Sequence, residues 1–406
     1  MNKALKILQE RGFIQQCTDL QALSDRMDKG QIAFYTGTDP TGPSLHIGHM
    51  VPIFALKHLC REGHKGVVLV GGGTSRIGDP SGKTEMRKML SYDELDKNAA
   101  SIQKQIEKFL AEDIKNVRFV NNKDWLADLN YIDFLRDIGS HFSVNKMLSF
   151  EAYKKRMETG LSFLEFNYQL LQSYDFLMLN QNYNVELQIG GDDQWGNMVA
   201  GSDLIRRKGG GEVFALTFPL VTRADGQKMG KSEKGALFLD PALLSTYDFF
   251  QYWRNTADAD VEKFMLLFTF LPIEEIKSVC AGDINKAKER LAFEVTALIH
   301  GKEEAEKALE GARAAFSGGG NKDAMPTANL SLSKLNEGIG VIDLFAEAGL
   351  ASTKSDARRL VEQGGAFINE EKISDIKAII GKEKLDKDKE MILRAGKKRF
   401  MRIIFS

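Results

Sequence analysis

With 406 residues, 43% apolar and 27% charged, the chain has the make-up of a soluble globular protein with room for two or three domains. A formal net charge of -1 excludes a globally basic nucleic-acid coat, though not a local basic patch. Cys17, Cys60 and Cys280 show no metal-ligand spacing, Met1 to Leu20 lacks a secretory signature and no apolar run is long enough to cross a bilayer, so a cytoplasmic protein with no membrane partner is expected.

Residues 1–30 read as two short helices around Leu5–Leu8 and Leu20–Leu23, followed by a strand from Gln31 to Thr36. The turn from Asp39 to His49, rich in Gly, Pro and Thr, then opens an amphipathic run, Ile47-Val51-Ile53-Phe54-Leu56-Leu59, that reads as a helix. Val67 to Val70 is a short apolar run of the kind that forms a buried parallel strand, and it enters a glycine-rich loop from Gly71 to Lys83. A helix over Leu95–Leu110 precedes a strand over Val117–Val120. Leu187–Ile189 and Ala215–Val221 are further strand candidates, with a helix from Trp195 to Arg207 between them. This alternation predicts an α/β parallel sheet with crossover helices over residues 1–240. After about Pro241 the strand signals cease, and Tyr247–Trp253, Val261–Leu267, Ile273–Val279 and Ile284–Ala315 predict a small helical domain over 241–320. The Gly318-Gly319-Gly320 stretch marks a linker, extended to 321–340, and a compact tail of two helices followed by strands is expected over 341–406.

Five stretches carry chemistry. A strand that enters a helix through a turn such as Asp39–His49 is expected to leave unpaired backbone donors that favour anions, with His46 and His49 on one face of the first turn. Gly48 removes a side chain where a flat base or a phosphate would approach the backbone; the bland alternative is an ordinary strand–helix junction. Gly82-Lys83-Thr84 resembles the end of a P-loop, but position 77 is Ile and Gly78 lies one residue too close, so the spacing fails. Asp79 instead stands in a glycine-rich turn after a sheet strand, where ligands gather in open α/β folds. Tyr168, Gln172 and Asp175 fall at i, i+4 and i+7, and a helix face with a phenol, an amide and a carboxylate suits a polar ligand or else solvent. Gln188 to Asn197 is another strand–Gly–Gly–helix junction, with Asp192 and Asp193 placed to cap the helix or to bind ribose hydroxyls or an amine. Lys228 and Lys231, in Lys228-Met229-Gly230-Lys231-Ser232, lie on a polar loop that can close over a triphosphate, although such tetrads are common on surfaces. In the tail, Arg358-Arg359 and the cluster Arg394 to Phe400 suggest a local RNA-binding surface.

Taken together and in this order, these motifs resemble the class I aminoacyl-tRNA synthetases, and among them the bacterial-type tyrosyl family. His46-Ile47-Gly48-His49 matches the first class signature and Lys228-Met229-Gly230-Lys231-Ser232 the second. Met229-Gly230, Asp192 and Ser75-Arg76 depart from the residues frequent at those positions in the family. The resemblance implies a Rossmann-like catalytic domain, a small helical domain and an S4-like α+β RNA-binding tail. It implies activation of L-tyrosine by ATP to tyrosyl-adenylate, then transfer to the 3′ end of tRNA(Tyr), with no protein nucleophile in either step. Thr41, His46, His49, Lys83, Arg87, Lys228 and Lys231 would act on the phosphates. Tyr35, Asp79, Tyr168, Gln172, Asp175 and Gln194 would hold tyrosine, with Tyr35 and Asp175 on its phenol. Asp39, Gly48, Gly191, Asp193, Lys231 and Ser232 would serve ATP. Arg358, Arg359, Lys397, Lys398 and Arg399 would meet tRNA. Mg²⁺ should accompany ATP without a dedicated protein site or a tightly bound cofactor, and a homodimer is implied. Two rivals are a tryptophanyl-tRNA synthetase, whose indole pocket would not call for Tyr35 opposite Asp175, and an RNA-binding protein that kept the fold without the activity.

Overall fold

The structure is a computed structural model that describes residues 1–81, 90–222, 229, 231–232, 235–317, 327–369, 371–387, 389–396 and 399–405; of residues 112, 231, 232, 235 and 314–317 it describes the backbone alone. Helix α1 (Lys3–Glu10) is capped by Asn2, whose side chain accepts the Ala4 amide. Strand β1 (Gln16–Cys17) and helix α2 (Leu20–Asp28), capped by Asp19, follow. Then come β2 (Ala33–Thr38), α3 (Met50–Arg61), β3 (Lys65–Val70), α4 (Tyr92–Leu110) and β4 (Val117–Asn121). Ten of the twelve α3 residues are buried, as its apolar periodicity requires. Buried Lys57 is tolerated there because its ammonium donates to the Phe109 carbonyl at 2.7 Å.

Five short helices occupy the next stretch: α5 (Lys123–Leu126), α6 (Tyr131–Asp137), α7 (Val144–Leu148), α8 (Glu151–Thr159) and α9 (Phe163–Phe166). They are too short to show a helical repeat, so periodicity predicts none of them. A buried pair, Arg156 with Glu165 at 3.0 Å, ties α8 to α9. Helix α10 (Tyr168–Tyr183) stops at Asn184 in the left-handed conformation, and β5 (Val185–Gly191), α11 (Trp195–Arg207), β6 (Phe214–Phe218), β7 (Lys231–Ser232) and β8 (Gly235–Ala236) follow.

The six-stranded sheet has the order β1-β6-β5-β2-β3-β4, with β1 antiparallel to β6 and the other neighbours parallel. The chain lays down β2, β3 and β4 in one direction, then returns to place β5 and β6 on the other side of β2. The carboxyl ends of β2 and β5 therefore part at the topological switch point, where open parallel sheets take ligands.

Helices α12 (Thr246–Arg254), α13 (Val261–Phe268), α14 (Ile273–Cys280), α15 (Ile284–His300) and α16 (Lys302–Ser317) complete this part of the chain. The single helix expected over 284–315 is two, broken at Gly301, whose φ of +106° suits glycine alone. The chain divides into two compact units, 1–245 with 253–299 and 246–252 with 300–406. The helices expected to form a domain of their own over 241–320 are thus shared between the two.

The second unit adds β9 (Thr327–Leu330), α17 (Leu332–Glu337), β10 (Ile339–Gly340), α18 (Val341–Glu347), α19 (Lys354–Glu362), β11 (Ala366–Ile368), β12 (Glu371–Ile373), β13 (Ile379–Ile380), β14 (Glu390–Ala395) and β15 (Arg399–Phe405). Its five-stranded sheet, β12-β11-β14-β15-β9, packs one face on a core that includes Leu344, Phe345, Ala357, Val361, Ile368 and Leu393. The linker expected over 321–340 is not one from 327 onward, because β9 pairs in parallel with β15 and α17 follows. A four-residue edge strand is too short to be read from alternation. Residues 318–326, including the expected glycine joint, lie outside the described residues.

Candidate active site

At the switch point lies a cleft with a cavity volume of about 380 Å³. Its floor is β2, its walls the loops after β2, β3 and β5, and one side is α10. The helical face of Tyr168, Gln172 and Asp175 lines it together with Tyr35 from β2 and Asp79 from the glycine-rich loop.

Asp175 is buried, 1% exposed, with a donor on each carboxylate oxygen: Trp125 Nε1 at 2.7 Å and Asn122 Nδ2 at 2.9 Å. Burial pushes its carboxyl up to about 8; the Asn122 and Trp125 bonds oppose that shift, and the Asp39 charge adds to it. Tyr35 is buried beside it, and its phenol oxygen has no hydrogen-bond partner among the described residues. Burial, then the Asp175 charge, push that phenol well above its ordinary range. A phenol and a carboxyl side by side at one end, the first without a hydrogen-bond partner among the described residues, can together bond a hydroxyl-bearing ring.

Next along the cleft, Asp39 accepts from Tyr168 Oη at 2.9 Å and from Thr74 Oγ1 at 2.7 Å. Gly71 is obligatory there, since a Cβ would fall 1.9 Å from Asp39 Oδ1. Asp79 accepts the Ser81 amide at 2.9 Å and Gln194 Nε2 at 2.6 Å, and Asn197 donates to Gln194 Oε1 at 3.1 Å. Asp39 and Asp79 therefore face one pocket beyond Asp175, an arrangement that suits a cation such as an ammonium. Gln172 lines the same wall, and Gln188 brings a buried Oε1 without a partner among the described residues.

At the mouth stand Thr41, His46, Gly48 and His49. The expectation of unpaired backbone donors is not met. His46 Nδ1 accepts the Gly48 amide at 3.0 Å, His49 Nδ1 accepts the His46 amide at 3.1 Å, and the Ile47 amide donates to the Leu237 carbonyl at 3.0 Å. The histidines thus cap the short 3-10 turn Ile47–His49 that precedes α3, with ring centroids 3.9 Å apart. The consequence is chemical: with Nδ1 accepting in both rings, each neutral imidazole carries its proton on Nε2 and is a donor there. A Cβ on Gly48 would meet the His46 ring at 2.8 Å, so only glycine fits beneath it.

The loop that holds these histidines is fixed from two sides. From α4, Gln105 Oε1 takes the Leu45 amide and the Ser44 hydroxyl, each at 3.1 Å, and Asn98 donates to the Pro40 carbonyl. On the other side the Leu239 amide donates to the Leu45 carbonyl at 2.8 Å, and His46 bridges to Phe238. Residues 237–239 lie a few positions after the second lysine-bearing stretch, in which the side chain of Met229 is described: buried, with its amide on the Val221 carbonyl at 2.9 Å. Lys231 and Ser232 are described as backbone in β7, paired with β8. Lys83, Arg87 and Lys228 lie outside the described residues. A smaller cavity of about 110 Å³, lined by Ile47, Val51, Val221 and Met229, shares Gly48, Pro52, Gly191 and Leu220 with the cleft.

Of the acidic pair, Asp193 is exposed at the mouth, whereas Asp192 turns away to accept Gln16 Nε2 at 2.7 Å and Thr217 Oγ1 at 2.8 Å, which fixes β1 to the sheet. In the second unit Arg358, Arg359 and Arg399 are exposed; Arg359 pairs with Asp356 and Arg399 donates to the Leu350 carbonyl at 2.9 Å. Lys397 and Lys398 lie outside the described residues. Sequence reasoning missed Asn122, Trp125, Thr74, Gln105 and Ser44. The position of Asn122, directly after a parallel strand, was the signal that could have found it.

Comparisons with known proteins agree with one another. A family model described as "tRNA synthetases class I (W and Y)" matches residues 27–317, and one described as "Tyrosine--tRNA ligase SYY-like C-terminal domain" matches 320–403. The chain is 97% identical over 406 residues to a tyrosine–tRNA ligase of Treponema denticola, with all of both chains covered. It is 65% identical to that of Treponema pallidum, covering 100% of this chain and 99% of that one. Among solved structures it resembles a C-terminally truncated mitochondrial tyrosyl-tRNA synthetase of Aspergillus nidulans, at TM-score 0.70 and 30% identity, over 77% of this chain and 94% of that one. A tryptophanyl-tRNA synthetase of Encephalitozoon cuniculi shares the fold at TM-score 0.56 and 14% identity, over 75% of this chain and 87% of that one.

Proposed function

The chain belongs to the class I aminoacyl-tRNA synthetases, in their tyrosine–tRNA ligase family, and from that premise we propose which of its residues perform the reaction. The enzyme activates L-tyrosine with ATP to tyrosyl-adenylate, releases pyrophosphate, and transfers the tyrosyl group to the 3′ end of tRNA(Tyr). The substrate phenol enters the closed end of the cleft and meets Tyr35 Oη and Asp175. Asp175 has lone pairs left after Asn122 and Trp125, which hold its carboxylate in one orientation. Asp79, Tyr168 and Gln172 receive the ammonium, with Gln194 keeping Asp79 in place and Asp39 behind Tyr168.

The tyrosine carboxylate is then the nucleophile on the α-phosphate, so catalysis needs positioning and charge stabilisation. His46 and His49 donate from Nε2 toward the phosphates, Thr41 joins them, and Lys83, Arg87, Lys228 and Lys231 supply positive charge. Asp193, Gly191 and Ser232 serve the ribose side, and the base lies over Gly48 toward the apolar cavity of Ile47, Val51 and Met229. Mg²⁺ enters as the ion of ATP. Phosphate oxygens and water would hold it. The second unit binds tRNA, through Arg358, Arg359, Lys397, Lys398 and Arg399. The working form is a cytoplasmic homodimer, a reading supported by Tyr131, Ile132, Val144, Met157 and Phe163, which are 53–70% exposed within one stretch of chain. No helix among the described residues is long and apolar enough to cross a membrane.

The single observation behind the amino-acid choice is Asp175, a buried carboxyl held by two donors next to a phenol with no hydrogen-bond partner among the described residues. ATP–pyrophosphate exchange with each of the twenty amino acids, without tRNA, tests it. Tyrosine should drive exchange; a faster rate with tryptophan would sink this reading of the pocket.

A further inference from the structure

We propose that the outer face of the second unit's sheet is a stacking platform for unpaired bases of the tRNA, built from Phe367 and Phe400 with Arg394 between them and Lys372 at the rim. The proposal rests on the reading of this unit as a tRNA-binding one and assigns the contact to a place outside the basic residues named above.

The register carries the argument. Lys372 on the edge strand β12 pairs with Phe367 on β11, Phe367 pairs with Arg394 on β14, and Arg394 pairs with Phe400 on β15. Residues directly opposite in antiparallel strands share a face, so the four side chains form one row across four strands, alternating cation and ring. Their sequence neighbours Ala366, Ile368, Leu393 and Ala395 point the other way and are buried in the core. Phe367 and Phe400 are outside that core and partly exposed, unlike Phe345 and Phe405, which are 0% and 3% exposed. The Arg394 guanidinium lies over the Phe367 ring, 3.6 Å from its centroid. Lys372 reaches toward the end of α19: a Cβ on Gly364 would fall 2.5 Å from its Nζ. That end belongs to the helix that carries Arg358 and Arg359.

One Arg–Phe pair would be ordinary cross-strand stabilisation. A second partly exposed ring in the same row lies outside the core, yet it offers a second π-face. Alternating rings and cations are what single-stranded nucleic acid uses, because bases stack on the rings while the cations meet the phosphates. The sign of charge agrees, with fourteen Lys and Arg against eleven Asp and Glu over residues 341–406.

The test measures full-length protein binding a tRNA(Tyr) transcript and a blunt RNA duplex of similar length, at 50 and 200 mM salt. Phe367→Leu with Phe400→Leu should weaken tRNA binding roughly tenfold or more, while duplex affinity and the salt slope stay as in wild type. Phe367→Trp with Phe400→Trp should retain tRNA affinity, since any ring stacks. Arg394→Gln should make the tRNA salt slope shallower by about one unit. Tyrosine-dependent pyrophosphate exchange should be unchanged in all of them. Should the leucine pair not melt like wild type, the single Phe400→Leu variant carries the same comparison, with a loss of several-fold expected. A folded leucine pair that binds tRNA as wild type overturns the platform, as does equal weakening toward duplex. If Arg358→Ala with Arg359→Ala weakens tRNA binding in that case, this proposal alone falls. If neither set matters, the reading of the unit as tRNA-binding falls with it. A leucine pair that lowers the sedimentation coefficient without changing tRNA affinity gives the face to a second copy and overturns the proposal.

Discussion

At the closed end of the cleft Asp175 has a donor on each oxygen and is 1% exposed, whereas at the mouth Thr41 and Gly48 are exposed and the histidines hold each other through loop backbone. The closed end is made of β2, α10 and the segment after β4, all anchored in the sheet or packed on it; the mouth is made of turns. Choosing among similar rings requires dry polar groups that cannot move, because an unmatched partner is then left unpaired. Stabilising charge as it develops on phosphate requires donors whose partners arrive with the substrate. Changes at the two ends should therefore register in different quantities.

The largest effect is expected at Asp175. In Asp175→Asn the amide cannot accept from both Asn122 and Trp125, and it offers the substrate phenol a weaker partner. At about 2 kcal/mol for each mismatched buried donor, kcat/KM for tyrosine in pyrophosphate exchange should fall roughly 10³-fold. The same residue has a pH signature in the free enzyme. Its pKa rises from 3.8 to about 8 on folding, so between those values the native protein holds a proton that the unfolded chain has lost. Its contribution to stability is fully present below pH 4 and lost as pH rises through 8. Tm should drop between pH 5 and 8 in wild type more than in Asp175→Asn; parallel curves would place the titration elsewhere.

At the mouth, His46→Ala or Lys231→Ala should slow single-turnover adenylate formation by roughly 10²–10³-fold, the usual loss for one transition-state donor. Tyrosine affinity should change little, since both groups are proposed to act on the phosphates rather than on the amino acid. A mutant whose rate holds while its tyrosine affinity collapses would erase the distinction between the two ends.

How much of this was readable in advance follows the same division. Tyr168, Gln172 and Asp175 share a face because α10 is long and regular, and the switch point follows from strand–helix alternation. The groups that hold them were not readable. Trp125 stands 50 positions from Asp175 on a four-residue helix, and Gln105 reaches Leu45 from 60 positions away. Nothing local marks such contacts. The free amide donors expected at His46–His49 failed for a related reason: Leu237, nearly two hundred residues on, takes one of them, and the imidazoles take two more. In the second unit the boundary was placed late because β9 is recognisable only through its partner β15.

Gln105 gives a smaller effect that sharpens the comparison. Gln105→Leu removes the acceptor of the Leu45 amide and the Ser44 hydroxyl while leaving every group that lines the cleft. The loop carrying His46 should lose its fixed position, and kcat for adenylate formation should fall about tenfold, in line with one lost hydrogen bond and a modest misplacement. KM for tyrosine should stay within twofold, and Gln105→Glu should restore part of kcat because a carboxylate still accepts. Equal changes in kcat and in tyrosine KM would mean that α4 supports the whole cleft rather than its mouth.

The smallest effect is expected where a polar atom has nothing to lose. Tyr35 Oη is buried without a hydrogen-bond partner among the described residues, so Tyr35→Phe removes no bond from the free enzyme. An unpaired buried hydroxyl is a liability of about 1–3 kcal/mol, partly offset by the packing of its oxygen, so the variant should be as stable as wild type or more stable by about 1 kcal/mol. The ring stays at 5.3 Å from Phe176, which preserves the core contact. With tyrosine bound the sign should reverse, since the substrate phenol would lose one of the two partners proposed for it. Discrimination against phenylalanine should then narrow by roughly tenfold in kcat/KM, a neutral hydrogen bond's worth, while kcat at saturating tyrosine barely moves. Thermal melts of free and tyrosine-saturated enzyme check both halves: the tyrosine-induced rise in Tm should be smaller in the variant although its starting Tm is not lower. A variant that melts well below wild type without ligand would show that the hydroxyl supports the fold, and the closed end would then owe its specificity to Asp175 alone.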